Sequence, residues 1–154
     1  MPANVLEFLR RKKKWVRAAC AAAWVCAFTA SHIPGPKMPE LNVGDKDLHL
    51  VGFLGLAGLF WATLAGFGCR RWPRVALVLT VLPAYAAFDE LTQPYFQRTA
   101  DVKDWAFDVL GTVCALALAE VVLWVASRRS AGSREGSAGA GPQDRPARSP
   151  SGRR

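Results

Sequence analysis

The chain has 154 residues, 51% of them hydrophobic, yet a formal net charge of +8. An ordinary soluble domain does not combine those figures comfortably; they agree when apolar residues are gathered in membrane spans and basic residues lie between and beyond them. The four cysteines, Cys20, Cys26, Cys69 and Cys114, sit in or beside apolar runs without CxxC or Cys/His spacing, which argues against a disulfide framework and a zinc site.

Residues 1–14 form a basic N-terminus, RRKKKWVR leading into a first apolar stretch at about 15–31 that is rich in alanine. That pattern resembles the n- and h-regions of a secretory signal, but Ala27-Phe28-Thr29 is a weak cleavage site. HIPGPK reads as a loop to the next span, so an anchored first helix is expected. A hydrocarbon core roughly 30 Å thick needs about 20 helical residues. Residues 48–68 supply them without a formal charge. Residues 75–93 contain Pro83, expected to kink or loosen the helix, and end in Asp89 and Glu90; residues 105–126 carry Asp108 and Glu120. The remainder, 127–154, is rich in Gly, Ser, Pro and Arg and predicts a disordered tail.

The expected fold is therefore all-α: a polytopic cell-membrane protein built as a bundle of four transmembrane helices with a disordered basic C-terminal tail. Sixteen of the twenty lysines and arginines fall before the first span, between the second and third, or after the fourth; only Lys37, Lys46, Arg98 and Lys103 lie in the other two loops. Positive charge near span ends marks the cytoplasmic side, so both termini are predicted inside. The arginine-rich tail needs no further purpose than enforcing this topology, and no nucleic-acid partner is expected; membrane lipids are the implied surroundings.

Topology sorts the polar residues. Eight of the twelve acids, Glu40, Asp45, Asp47, Asp89, Glu90, Asp101, Asp104 and Asp108, fall in the outer loops or the outer turns of spans three and four. Asp45 and His49 are four apart, Glu90 and Gln93 three, and Asp104, Asp108 and Gly111 four and three, so each set shares one helix face. Ionisable groups at membrane depth usually face an interior or a wet cavity and mark function. Glycines 52, 55 and 58, with Gly111, would let helices approach closely around it. Asp89 and Glu90 point about 100° apart, so only one is expected to face fully inward, and the spacing to Gln93 selects Glu90. Glu120, near the inner end of span four, matches Arg17 in depth and predicts an inner ion pair.

The string Asp45-Lys46-x-x-His49 entering an apolar helix, then Glu90-x-x-Gln93, then Arg98-x-x-Asp101-x-x-Asp104-x-x-x-Asp108-x-x-Gly111, resembles the VanZ-like family of small bacterial membrane proteins from about Ser31 to Ala115. His32-Ile33-Pro34-Gly35-Pro36 is similar to the first loop of some members. Two positions depart from the pattern: Asp108 stands where Asn is common, and Ala115 where a second Gly is common. Asp keeps the acceptor but adds a charge and removes the amide donor. The resemblance implies an envelope or lipid-related role; the family takes its name from a protein associated with resistance to the glycopeptide teicoplanin.

Three functions fit these residues. In a binding site for an anionic, glycosylated or lipid-linked envelope ligand, Lys46 and Arg98 hold the charged group, Asp45, Asp101 and Asp104 orient them, and His49, Glu90, Gln93 and Asp108 complete the site. In an enzyme acting on a lipid-linked substrate, His49 or Glu90 is the general base, with Asp108 a further candidate, and a divalent ion sits on some of Asp101, Asp104 and Asp108. Three carboxylates on one helix face do not specify a metal, so neither metal nor cofactor is required. In a purely architectural protein, Asp45 and Asp104 cap helices, Lys46 and Arg98 snorkel, and His49 bonds a neighbouring helix. Capping does not explain why His49, Glu90, Gln93 and Asp108 reach one depth from three helices.

Overall fold

A computed structural model describes residues 3–34 and 44–138. They form five α-helices: α1 (Ala3–Arg11), α2 (Lys13–Ser31), α3 (Asp45–Gly66), α4 (Arg71–Thr92), followed by a 3-10 turn (Gln93–Phe96), and α5 (Val102–Ala138). Lys37 and Glu40 of the expected first outer loop, and residues 139–154 of the expected tail, lie outside the described residues. Among the described residues three helices are long and apolar enough to cross a membrane, Asp45–Gly66, Arg71–Phe96 and Val102–Arg128; α2, which holds the expected first span, is not one of them. The expected tail begins at Ser127, but α5 continues helically to Ala138.

Each boundary has a local cause. Helix α2 stops three residues before Pro34, whose ring disfavours helical geometry in the residue that precedes it. Helix α4 opens with Pro73 in its first turn, where a missing N–H costs no hydrogen bond. It runs unbroken through Pro83, whose carbonyl accepts the Trp105 indole N–H of α5 at 3.1 Å. Asp101 precedes α5 and its Oδ1 accepts the Lys103 backbone N–H at 2.8 Å, a side-chain cap on an otherwise orphaned donor.

Helix α3 touches every other helix and packs most extensively on α5. The core joins Phe53, Leu56, Ala57, Trp61 and Ala65 of α3 to Val78, Leu82 and Ala86 of α4 and Ala115 and Leu116 of α5. Exposed Leu110, Val113, Leu118, Val121 and Val122 coat the outside of α5, the distribution expected where hydrocarbon replaces water. Gly111 sets the closest approach: a Cβ there would run into the Leu50 carbonyl oxygen and lie 3.0 Å from the Leu54 nitrogen.

Four sequence expectations need correction. Glycines 52, 55 and 58 do not bring helices together, for a Cβ at any of them meets nothing within 4 Å. Both Asp89 and Glu90 are buried, because α4 has neighbours on more than one side. Glu120 pairs with Arg71 at 2.9 Å rather than Arg17, whose guanidinium lies 5.9 Å from the Phe67 ring centroid. The basic N-terminus is itself a helix: Leu6 and Leu9 of α1 pack on the core, and the Leu9 carbonyl oxygen lies 3.0 Å from where a Gly66 Cβ would be.

Candidate functional site

Because successive helices run antiparallel, the end of α2, the start of α3, the end of α4 and the start of α5 meet at one end of the bundle. Their polar side chains converge there. His49 Nδ1 donates to Asp108 Oδ1 at 2.9 Å, linking α3 to α5. Glu90 of α4 accepts from Gln93 Nε2 at 3.0 Å and, through its other oxygen, from the Asp101 backbone N–H at 3.0 Å. One ligating atom from each of His49, Glu90 and Asp108 lies within 4.8 Å of the others. Asp108 is fully buried, and its Oδ2 has no hydrogen-bond partner.

Two cations, Arg98 and Lys46, act as straps across this cluster. Arg98, on the α4–α5 connection, donates to the Ser31 carbonyl at 3.2 Å and to Asp45 Oδ1 at 3.3 Å, joining the ends of α2 and α3. Lys46 lies 3.7 Å from Asp104 Oδ1, across α3 and α5. That separation is an ion pair without a hydrogen bond, and Asp104 Oδ1 is otherwise unpartnered. Gln97 makes the placement of Arg98 possible: its φ of 58° lies in the left-handed region and reverses the chain after the 3-10 turn.

A second polar group lies beside the first. Asp89 accepts from Ser31 Oγ at 2.7 Å and sits 3.7 Å from His32 Nδ1. The His32 ring stacks on Phe28, gives Nδ1–H to the Phe28 carbonyl at 2.8 Å and shares a 2.8 Å hydrogen bond with Thr92 Oγ1. Sequence reasoning did not place Ser31, His32, Asp89 or Tyr85 in the site. Phe28-x-x-x-His32 and Asp89-x-x-Thr92 have helical spacing, the signal that would have found two of them, His32 and Asp89.

Between α2, α3 and α4 a cleft of about 310 Å³ opens against both groups. Ala27, Ala30, Leu48, Gly52 and Phe53 give it apolar walls, while Ser31, Asp45, His49, Asp89 and Arg98 gather at its polar end. Tyr85, stacked with Phe53, also lines it and has a buried hydroxyl without a partner. Of the residues expected in the site, His49, Glu90, Gln93 and Asp108 form the buried centre, with Asp104 beside them and Asp45, Lys46 and Arg98 at the rim. Asp101 contributes its backbone N–H and a helix cap.

Fold and site together define a small all-α membrane protein with a histidine–carboxylate cluster at one end of its bundle. The chain belongs to the VanZ/LLP1 family, whose model matches residues 19–124 and so takes in α2 as well as the motif-bearing segment. No curated protein and no solved structure matches it.

Proposed function

We propose that this family member crosses the membrane four times, α2 being the first span, with both termini in the cytoplasm. Its polar end then lies at the outer face and binds an amphiphilic, anionic, lipid-linked envelope molecule. The hydrocarbon chain occupies the cleft, and the anionic or glycosylated head meets Arg98, with Lys46 nearby. The observation that carries this reading is the cleft itself, apolar along its walls and charged at one end. A planar guanidinium suits a phosphate or carboxylate head, and Arg98 is held in place by two acceptors while keeping further donors.

The test is binding of a polyprenyl phosphate by the full-length protein in nanodiscs, with a neutral phosphatidylcholine as reference. Arg98→Ala and Gly52→Leu, the latter filling open space in the cleft wall, should each weaken binding of the phosphate at least about tenfold, equivalent to about 1.4 kcal/mol. Equal affinity for the neutral lipid, or unchanged binding in both variants, would overturn the reading. Reporter fusions check the accompanying topology: after Ser130 and at Arg71 they should report cytoplasm, near Asn42 the exterior.

A second reading, favoured by the grouping of His49, Glu90 and Asp108, makes the protein an enzyme on that same lipid-linked substrate, with His49 or Glu90 as general base. Release of a new product from a labelled lipid-linked substrate, lost in Glu90→Gln, separates turnover from binding. A lowered teicoplanin tolerance on deletion of the gene would extend the family's association to this chain.

A further inference from the structure

The histidine-bearing end of the bundle is short of positive charge. Four carboxylates stand around His49. Asp45 has Arg98 at 3.3 Å and Asp104 has Lys46 at 3.7 Å. Among the described residues no lysine or arginine comes within ion-pair distance of Glu90 or Asp108. Both are nonetheless buried, Asp108 completely, and Asp108 Oδ2 is left without any partner. Buried carboxylates normally find a cation or coordinate a metal, and the desolvation cost of leaving them bare is severe.

We propose that His49, Glu90 and Asp108 bind one divalent transition-metal ion of the zinc or manganese type, held between α3, α4 and α5. Their ligating atoms already lie within 4.8 Å of one another, so side-chain rotation can close them onto bonds of about 2.0–2.2 Å. One imidazole with two carboxylates is a mixed nitrogen and oxygen set. It suits zinc or manganese better than calcium, which gathers six to eight oxygens, or magnesium, which holds its waters. The surroundings also match a metal site. Gln93 Nε2 and the Asp101 N–H fix the Glu90 carboxylate from outside, as hydrogen bonds around metal ligands commonly do.

Asp45, His49 and Asp104 form a competing group of similar compactness. Asp45 is half exposed and already paired with Arg98, and Asp104 has Lys46, so a cation would displace existing countercharges there. Glu90 has no lysine or arginine to displace, and the ion-pair partner of Asp108 is His49, itself one of the three ligands. The ion completes the charge balance of this end and does not depend on the lipid reading. Metal uptake is measured without lipid, so its failure leaves that reading standing, and failure of lipid binding leaves the metal site standing.

The experiment uses full-length protein without a polyhistidine tag, in detergent, stripped with a chelator and dialysed against zinc or manganese. Elemental analysis should find close to one metal per chain, and bound metal should raise the melting temperature. Glu90→Gln and Asp108→Asn, near in shape to the parent residues, should each reduce affinity at least tenfold, whereas Asp45→Asn should retain the parent's uptake. Little metal on the parent, unchanged uptake in both variants, or dependence on Asp45 instead of Glu90 would each overturn the proposal. If either variant fails to accumulate, X-ray absorption of the zinc-loaded parent decides. Imidazole and oxygen scattering support the site; thiolate ligation or a purely hydrated ion rejects it.

Discussion

The two ends of the bundle handle charge in opposite ways. At the basic end, cations rest on aromatic faces and carbonyls: the Arg74 guanidinium lies 4.5 Å from the Trp61 ring centroid and donates to the Cys69 carbonyl at 3.0 Å, while Lys13 sits over Phe67 and Arg128 over Trp124. The part-buried Glu120 at that end has Arg71. Architecture accounts for that end, since long cationic side chains cover apolar surface and reach water or headgroups. The acidic end buries Asp89, Glu90, Asp104 and Asp108, whose partners are mostly histidines, hydroxyls and amides. A helix bundle needs a way to keep its basic charges at the surface; it has no comparable need for four buried carboxylates. The difference is why the proposed function is assigned to the acidic end.

Substitutions can break this contrast or sharpen it. The largest effect is expected from Gly111→Val, one turn from Asp108. Even its Cβ would meet the α3 backbone, so overpacking should cost about 3 kcal/mol or more and most folded protein should be lost. Fluorescence-detected size exclusion checks this, and a well-folded Gly111→Val would show that α3 and α5 can separate freely. Asp89→Ala should cost less, about 1–3 kcal/mol in thermal unfolding, because it removes the charge-assisted hydrogen bond from Ser31, whose hydroxyl keeps only the Phe28 carbonyl at 3.0 Å as an acceptor, and takes from His32 its nearby carboxylate. Arg71→Ala should cost least. Its pair with Glu120 is geometrically good, but Arg71 is 60% exposed, so a loss of about 0–1 kcal/mol is expected. If Arg71→Ala proved as damaging as Asp89→Ala, the two ends would not differ as described.

Much of the helical layout was legible. Apolar runs located α2, α3 and α4 within a few residues, while α5 runs twelve residues past the expected end at 126. The spacings drew His49, Glu90, Gln93 and Asp108 toward one layer; ligating atoms of His49, Glu90 and Asp108 lie within 4.8 Å of one another, and Gln93 bonds Glu90. Depth can be read from distance along a span, but the identity of a neighbour cannot. Arg17 and Glu120 share a depth, yet α4 lies beside α5 and supplies Arg71 instead. The Asp89 expectation failed because it assumed a single inward direction. Helix α4 meets α5 and α3, and Asp89 also reaches Ser31 of α2, so two adjacent faces are both interior. The glycine pattern on α3 misled for a related reason: small residues permit close approach but equally well border a cleft, as Gly52 does. Helix α1 was hidden by its charge, since five consecutive basic residues draw attention from Leu6 and Leu9 just before them.

The turn at Gln97 has a consequence for how such a site can change. A left-handed residue that is not glycine carries a backbone penalty, which the surrounding hairpin sustains. In return, Arg98 emerges already aimed at Ser31 and Asp45, and little of its considerable rotamer freedom remains to be frozen when a ligand arrives. Under the proposed function, selectivity at the rim of the cleft could therefore be retuned by a residue that need not touch the ligand. A β-branched side chain at 97 would loosen the hairpin and release Arg98 from its preset position, while glycine would relieve the backbone strain and widen the range of conformations open to the hairpin. Substitutions at that single position would trade affinity against breadth of ligands while the buried histidine–carboxylate cluster stayed as it is.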